Sequence, residues 1–190
     1  MVLGRAFISD PPLKVVLPDV ADPVERARIL SVVFTLALKR QRLSGQPLFG
    51  IIREGKVAAV AITEGAPRLS PKIPLLEGLG MFFRMVSAVG LRGTLRAIRF
   101  AQDTGKNRPR QPHLYLSAIG VAPEQQGRHY GIALLDYLRA LLNVHSEWVG
   151  IYLETAGEAT VGYYKQAGYQ LLGETRSLGV TMWRMMQPRA

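Results

Sequence analysis

In Gly120-Val121-Ala122-Pro123-Glu124-Gln125-Gln126-Gly127-Arg128-His129-Tyr130-Gly131-Ile132-Ala133-Leu134-Leu135, a hydrophobic strand runs into a polar turn that opens directly into an apolar helix. The first amides of a helix have no partner inside it, and the aligned peptides leave partial positive charge there. A turn that points several N–H groups outward is therefore suited to hold phosphate. Gly127 and Gly131 let the backbone approach a ligand with no Cβ in the way. Gln126 brings a side-chain amide donor and Arg128 a fixed charge. The segment is built like a pyrophosphate cradle, although taken alone it equally fits an ordinary strand-to-helix connection with glycines for tight packing. The two glycine-rich nucleotide patterns, G-x-G-x-x-G and G-x-x-x-x-G-K-[ST], are both missing.

Outward from this turn the pattern stays regular. Residues 113–121 read as a largely buried strand, and residues 132–145 as a helix with Leu134, Leu135, Leu138, Leu141 and Leu142 on one stripe. Residues 149–155 are a second strand, and 158–167 a short helix closed by Gly168 as a left-handed cap. Two terminal strands, 169–174 and 180–186, complete the chain. The strand-helix-strand unit predicts a parallel pair in its middle.

Upstream, residues 47–53 and 56–63 form a hairpin pattern around Glu54-Gly55. Residues 23–42 have helical spacing with Asp22 as N-cap. The first dozen residues, with Asp10-Pro11-Pro12, read as irregular, and 13–17 as a weak strand. Residues 73–89 and 94–100 read as two amphipathic helices broken at Gly90-Leu91-Arg92-Gly93. Between Met81 and Gln111, seven bases (Arg84, Arg92, Arg96, Arg99, Lys106, Arg108 and Arg110) face only Asp103. Three readings stay open for this region: a solvated helical face, a basic flap near an anionic ligand, or a membrane-surface helix pair. Met81 to Val89 is also a candidate homodimer surface.

The whole composes a single α/β domain over residues 1–190, long enough for one filled core. Hydrophobic residues at 48% and charged residues at 20% are those of a folded protein. The chain has no cysteine, which excludes disulfides and thiolate metal sites and points to a reducing compartment. With three histidines, His113, His129 and His145, no metal site is expected. The longest uncharged apolar run, 29–38, is too short to span a bilayer, and the first residues lack the order of a signal peptide. The expectation is a cytoplasmic protein without a membrane span. A net charge of +10 favours anionic partners: a phosphorylated cofactor, nucleic acid or an anionic surface.

Residues 121–135 resemble the acetyl-CoA-binding signature of the GCN5-related N-acetyltransferase superfamily, Gln/Arg-x-x-Gly-x-Gly/Ala. Further along, Tyr163-Tyr164-Lys165-Gln166-Ala167-Gly168-Tyr169 resembles that family's Phe-Tyr-x-x-x-Gly-Phe segment. The two motifs arrive in order, separated by a helix and a strand, and together they cover residues 114–172. Before residue 110 the resemblance is weak. It implies a mixed, mostly antiparallel central sheet flanked by helices, with 71–110 as a helical insertion before the fourth strand and an acetyl-CoA-binding core over 113–172. It also implies that the backbone of Ile119 and Val121 holds the acetyl-pantetheine arm. The amides of Gly127, Arg128, His129, Gly131 and Ile132 would hold the pyrophosphate, with Gln126 nearby and Thr160 also on the cofactor. His129 departs from the pattern, since it stands at the family's first glycine. A first-turn helical residue needs no positive φ, so His129 is expected to be tolerated, either pairing with phosphate when protonated or lying idle on the surface.

Acetyl transfer to an amine needs an unprotonated nucleophile, donors for the developing oxyanion and a proton for the leaving thiolate. By its place in the motif, Tyr164 is the candidate proton donor, against a reading as a half-buried packing tyrosine. If the strand alternates, Tyr115, Ser117, Ile119 and Val121 share one face. Lysine-acetylating relatives have a carboxylate where Tyr115 stands. Glu154 is then the candidate base, with a water relay or an acceptor of low pKa as alternatives. The expected partner is a primary amine on a small molecule or peptide, with no obligatory nucleic acid. The rival function is a catalytically weak or inactive module whose basic helices bind nucleic acid or anionic surfaces.

Overall fold

The computed structural model describes residues 2–17, 20, 22–65 and 73–189. Three helices come first: α1 (Val2–Ala6), α2 (Pro11–Val16) and α3 (Pro23–Leu43). The hairpin β1 (Leu48–Arg53) and β2 (Lys56–Glu64) follows, then the long helix α4 (Leu75–Gly105). The remainder is β3 (Leu114–Val121), α5 (Tyr130–Leu141), β4 (Gly150–Thr155), α6 (Glu158–Gln166), β5 (Gln170–Ser177) and β6 (Val180–Pro188). The strands form one sheet in the order β1-β2-β3-β4-β6-β5. Every neighbouring pair is antiparallel except β3 and β4, which are parallel, as a strand-helix-strand unit requires.

An apolar cluster covers each face of the sheet. On one, Leu134, Leu135 and Leu138 of α5 and Tyr164 of α6 pack on Leu114, Leu116, Ile151 and Leu153. On the other, Leu3 of α1, Val16 of α2 and Leu30 and Phe34 of α3 pack on Ile62.

Local chemistry explains most boundaries. The Asp22 carboxylate accepts from the amides of Val24 and Glu25 at 3.1 and 3.3 Å, and Pro23 takes the first helical position. Glu54 and Gly55 both have positive φ, 50° and 72°, the turn that matches a two-residue hairpin. Gly168 closes α6 at φ 89°. Gly90 (φ 73°, ψ 166°) breaks α4 into two helical halves. The expected break is therefore present, but as a single residue, with the second half reaching Gly105. Residues 71–72 of the expected insertion lie outside the described residues.

The N-terminus corrects the sequence reading. Residues 2–6 are helical rather than irregular, and 13–17 are not a strand, since α2 occupies Pro11–Val16. Pro11 and Pro12 fit the first turn of a helix, while Val16 and Leu17 bury against the sheet. The insertion α4 consequently precedes the third strand of this chain rather than a fourth.

Candidate active site

The centre of the molecule is a parting of two strands. Only Leu114, Tyr115 and Leu116 of β3 pair with β4, against Ile151, Tyr152 and Leu153. Beyond them β3 continues to Val121 and β4 to Thr155 without pairing with each other. The parting starts at a β-bulge: Thr63 pairs with Leu116 and Ile62 with Ala118, leaving Ser117 as the extra residue. Its hydroxyl donates to the Ile62 carbonyl at 3.2 Å.

The bulge overturns the expected alternation. Leu114 and Leu116 point to the α5 side before it, and Ile119 and Val121 point there after it. Tyr115 thus lies on the opposite face from Ile119 and Val121. The same bulge sets the free edge. The Ala122 amide donates to the Ala58 carbonyl at 2.8 Å, and pairing of β2 with β3 is regular from 118 to 121. Ladder groups alternate, so Ile119 and Val121 turn their N–H and C=O toward the open edge.

A cleft of about 940 Å³ passes through the parted strands. On the α5 and α6 side, Ile119, Val121, Gln126, Gly131, Thr160 and Tyr164 line it, with Tyr163 beside them. On the α1, α2 and α4 side it is lined by Phe7, Asp10, Phe100, Thr104, Tyr115 and Glu154. The structure therefore brings together both catalytic candidates and five of the nine cofactor-binding candidates. Gly127, Arg128, His129 and Ile132 do not line the cleft; they form the exposed turn beside it.

That turn is made of donors. Gly127 and His129 both have positive φ, 74° and 60°, with Arg128 between them. Alternation of this kind faces successive amides the same way, a nest for anions. The first backbone bond of α5 runs from the Ala133 amide to the His129 carbonyl at 3.0 Å. None of the six amides from Gly127 to Ile132 has an acceptor among the described residues. Contrary to expectation, His129 caps the helix in the left-handed region and makes no side-chain cap bond. The chain needs two left-handed residues to turn back into α5, and only one of them is a glycine. At Gly131 an added Cβ would stand 2.9 Å from the Tyr163 hydroxyl oxygen, so the tyrosine would have to shift to admit one.

The other side holds carboxylates. Glu154 accepts from the hydroxyls of Tyr152 at 2.9 Å and Tyr115 at 3.3 Å. Burial raises its pKa, opposed by Arg108 and these two hydroxyls. The Arg108 guanidinium lies 3.6 Å from the centre of the Tyr115 ring. Asp10 is the residue the sequence reading missed. It occupies the N-cap position of α2 without capping it, and its carboxylate has no hydrogen-bond or ion-pair partner among the described residues. Burial pushes it up to about 6. An aspartate followed by two prolines is a helix-start signal, and it would have placed Asp10 at a helix end. Tyr164 is almost wholly buried, edge-on to Tyr163 and Tyr169. Burial first, then Tyr163 and Asp10, hold its phenol protonated well above the ordinary tyrosine range. No cluster able to hold a metal ion occurs among the described residues.

No family model matches the chain, and no curated protein matches it in sequence. Solved structures do match in fold. A crystal structure of histone acetyltransferase HPA2 and related acetyltransferase from Corynebacterium glutamicum is 22% identical and superposes with a TM-score of 0.68, covering 100% of this chain and 88% of that one. An N-acetyltransferase from Staphylococcus aureus Mu50 is 15% identical with a TM-score of 0.55, covering 83% and 79% of the two chains. A likeness at this level of identity, over the whole length of the chain in the first case, shows the fold alone: that of GCN5-related acetyltransferases.

Proposed function

We propose that this chain is an acetyl-CoA-dependent N-acetyltransferase acting on a primary amine of a small molecule or peptide, by direct attack in a ternary complex. One observation carries the reading: six unpartnered amides at the start of α5 adjoin a cleft edged by free ladder groups of Ile119 and Val121. These fit the two ends of a phosphorylated pantetheine thioester. The amides of Gly127 to Ile132 take the pyrophosphate, with Gln126 and Thr160 beside them, and Arg128 adds charge. Ile119 and Val121 pair with the amide-bearing arm as a strand edge would. A backbone N–H near Ile119 stabilises charge on the carbonyl oxygen.

The amine enters from the α2 and α4 side. Glu154, anchored by two tyrosine hydroxyls, attracts its cationic form. This assigns Glu154 to holding the amine, and the proton to Asp10, the carboxylate with no competing partner. The ammonium first gives one proton to solvent, which frees its lone pair; Asp10 then takes a second from the nitrogen as it bonds to the acyl carbon and the carbon–sulfur bond breaks. Tyr164 donates a hydrogen bond to the departing sulfur; a thiolate of pKa ~8.5 is a weak base, so a donor of high pKa is sufficient. The Asp10 proton then passes to solvent or to the thiolate.

The test is a screen of primary amines for amine-dependent release of free thiol from acetyl-CoA. Thiol release with some amine, slowed in both Asp10→Asn and Tyr164→Phe and more in the first, supports the reading. Thiol release with no amine, or release untouched by both substitutions, contradicts it.

A further inference from the structure

Helix α4 has an outer face that its own fold leaves uncovered. In the second half, Gly93, Ala97, Phe100 and Thr104 turn inward, against the body and the cleft. Leu91, Leu95 and Ile98, spaced i, i+4, i+7, turn outward, with Leu91 55% and Leu95 54% exposed. In the first half, Met81, Met85 and Val89 are partly covered, while Leu76 is 82% and Phe83 65% exposed. Each half of α4, on either side of the break at Gly90, thus exposes large apolar side chains, and together they mark an interaction surface rather than scattered surface residues.

Charge selects the partner. Both acidic residues of α4 are neutralised by bases: Glu77 by Lys39 at 2.5 Å, and Asp103 by Lys106 at 3.1 Å and Arg99 at 3.8 Å. Arg84 and Arg92 have no acidic partner among the described residues. An apolar stripe edged by uncompensated arginines repels a second copy of itself, since the same cations would meet across the contact. It also offers few stacking aromatics to a nucleic acid. It has the design of a helix that lies in the plane of a lipid–water interface, apolar side chains in the acyl boundary and guanidinium groups among the head groups.

We propose that α4 docks this protein on an anionic lipid bilayer, through Leu91, Leu95 and Ile98 together with Phe83, held by Arg84 and Arg92. No helix among the described residues is long and apolar enough to cross a membrane, so the attachment is peripheral. Because the inner side of α4 lines the cleft, docking places the amine entrance beside the lipid surface. The inference is independent of the acetyl-transfer reading, and vesicle binding requires no turnover.

The experiment is sedimentation of the full chain with vesicles of pure phosphatidylcholine and of phosphatidylcholine with about 30% phosphatidylserine, at low and physiological salt. Binding to the anionic vesicles, at least tenfold tighter than to neutral ones and weakened by salt, is expected. Leu91→Ser/Leu95→Ser and Arg84→Ala/Arg92→Ala should each reduce partitioning by on the order of tenfold or more. These side chains are exposed, and an unchanged melting temperature verifies the fold of each variant. A second readout is Leu95→Trp, whose emission should shift to the blue on anionic vesicles. Three outcomes overturn the proposal: no binding to anionic vesicles at physiological salt, binding that survives loss of both leucines, or a micromolar dimer that is lost in Leu91→Ser/Leu95→Ser while vesicles are ignored.

Discussion

On the proposed reading, the two ends of the cleft recognise by different means. At the α5 end the working groups are backbone amides in an exposed turn, held by left-handed residues at 127 and 129. At the α2 and α4 end they are side chains, Asp10 and Glu154, set in a partly buried and largely apolar wall. Amides carry fixed partial charge whatever side chains surround them, so the first end is tuned by shape and by what is kept out. Carboxylates change charge with burial, so the second end is tuned by its environment. Substitution at the first end should act on binding, and at the second on turnover and its pH dependence.

The largest effect is expected at Gly131. Gly131→Asp puts a Cβ against the Tyr163 hydroxyl and a negative charge at the start of α5. Affinity for coenzyme A should fall on the order of 100-fold, erasing a thermal shift that excess ligand otherwise gives. Saturating ligand at about 100 times its dissociation constant is worth about 2.7 kcal/mol. A shift that persists would remove α5 from the binding site.

Asp10→Asn should come next, lowering kcat by about 100-fold while the coenzyme A thermal shift survives. The wild-type rate should climb as pH rises through about 6, where Asp10 ionises, and the variant should lose that limb. Stability should move the other way. The folded-state pKa of Asp10 lies above its unfolded value of 3.8, so its contribution to stability is fully present only below that value. The fold loses stability as pH rises through about 6. At pH 7.5 Asp10→Asn should therefore stabilise the fold by about 3 kcal/mol, read as a higher melting temperature. Lower stability at pH 7.5 would mean that Asp10 has a structural role instead.

Much of the first end was legible in the sequence, and little of the second. The turn after β3, the leucine stripe of α5 and Gly168 are local signals, each read from a handful of adjacent residues. Ile119 and Val121 were named only through the family resemblance; that their ladder groups face the open edge follows from the register against β2. The bulge at Ser117 has no such signal, because it is defined by the register against β2, distant in the chain. Helices α1 and α2 are too short to be set by periodicity and are fixed by the burial of Leu3 and Val16 on the sheet. Asp10 and Glu154 come to line one cleft only through the fold, so this neighbourhood could not be read from either stretch. His129 was misjudged because the turn needed a second left-handed residue, a demand of backbone geometry rather than of residue type.

Smaller effects sharpen the contrast. Tyr164→Phe should lower kcat by about tenfold and leave the KM for acetyl-CoA unchanged, since its proposed partner is the departing sulfur and not the phosphates. An unchanged kcat would reduce Tyr164 to a packing residue. His129→Gly should be the mildest, relieving the left-handed strain and stabilising the protein by about 1 kcal/mol in thermal melting. Destabilisation would show that the imidazole holds the turn.

The central claim is that backbone amides at the start of α5 grip the diphosphate of the thioester substrate. Amide chemical shifts during a titration with coenzyme A test it directly. The account predicts large, saturating shifts at residues 127–132, accompanied by Ile119 and Val121 on the strand edge. Saturating shifts confined to other parts of the molecule, with residues 127–132 unmoved, would contradict it.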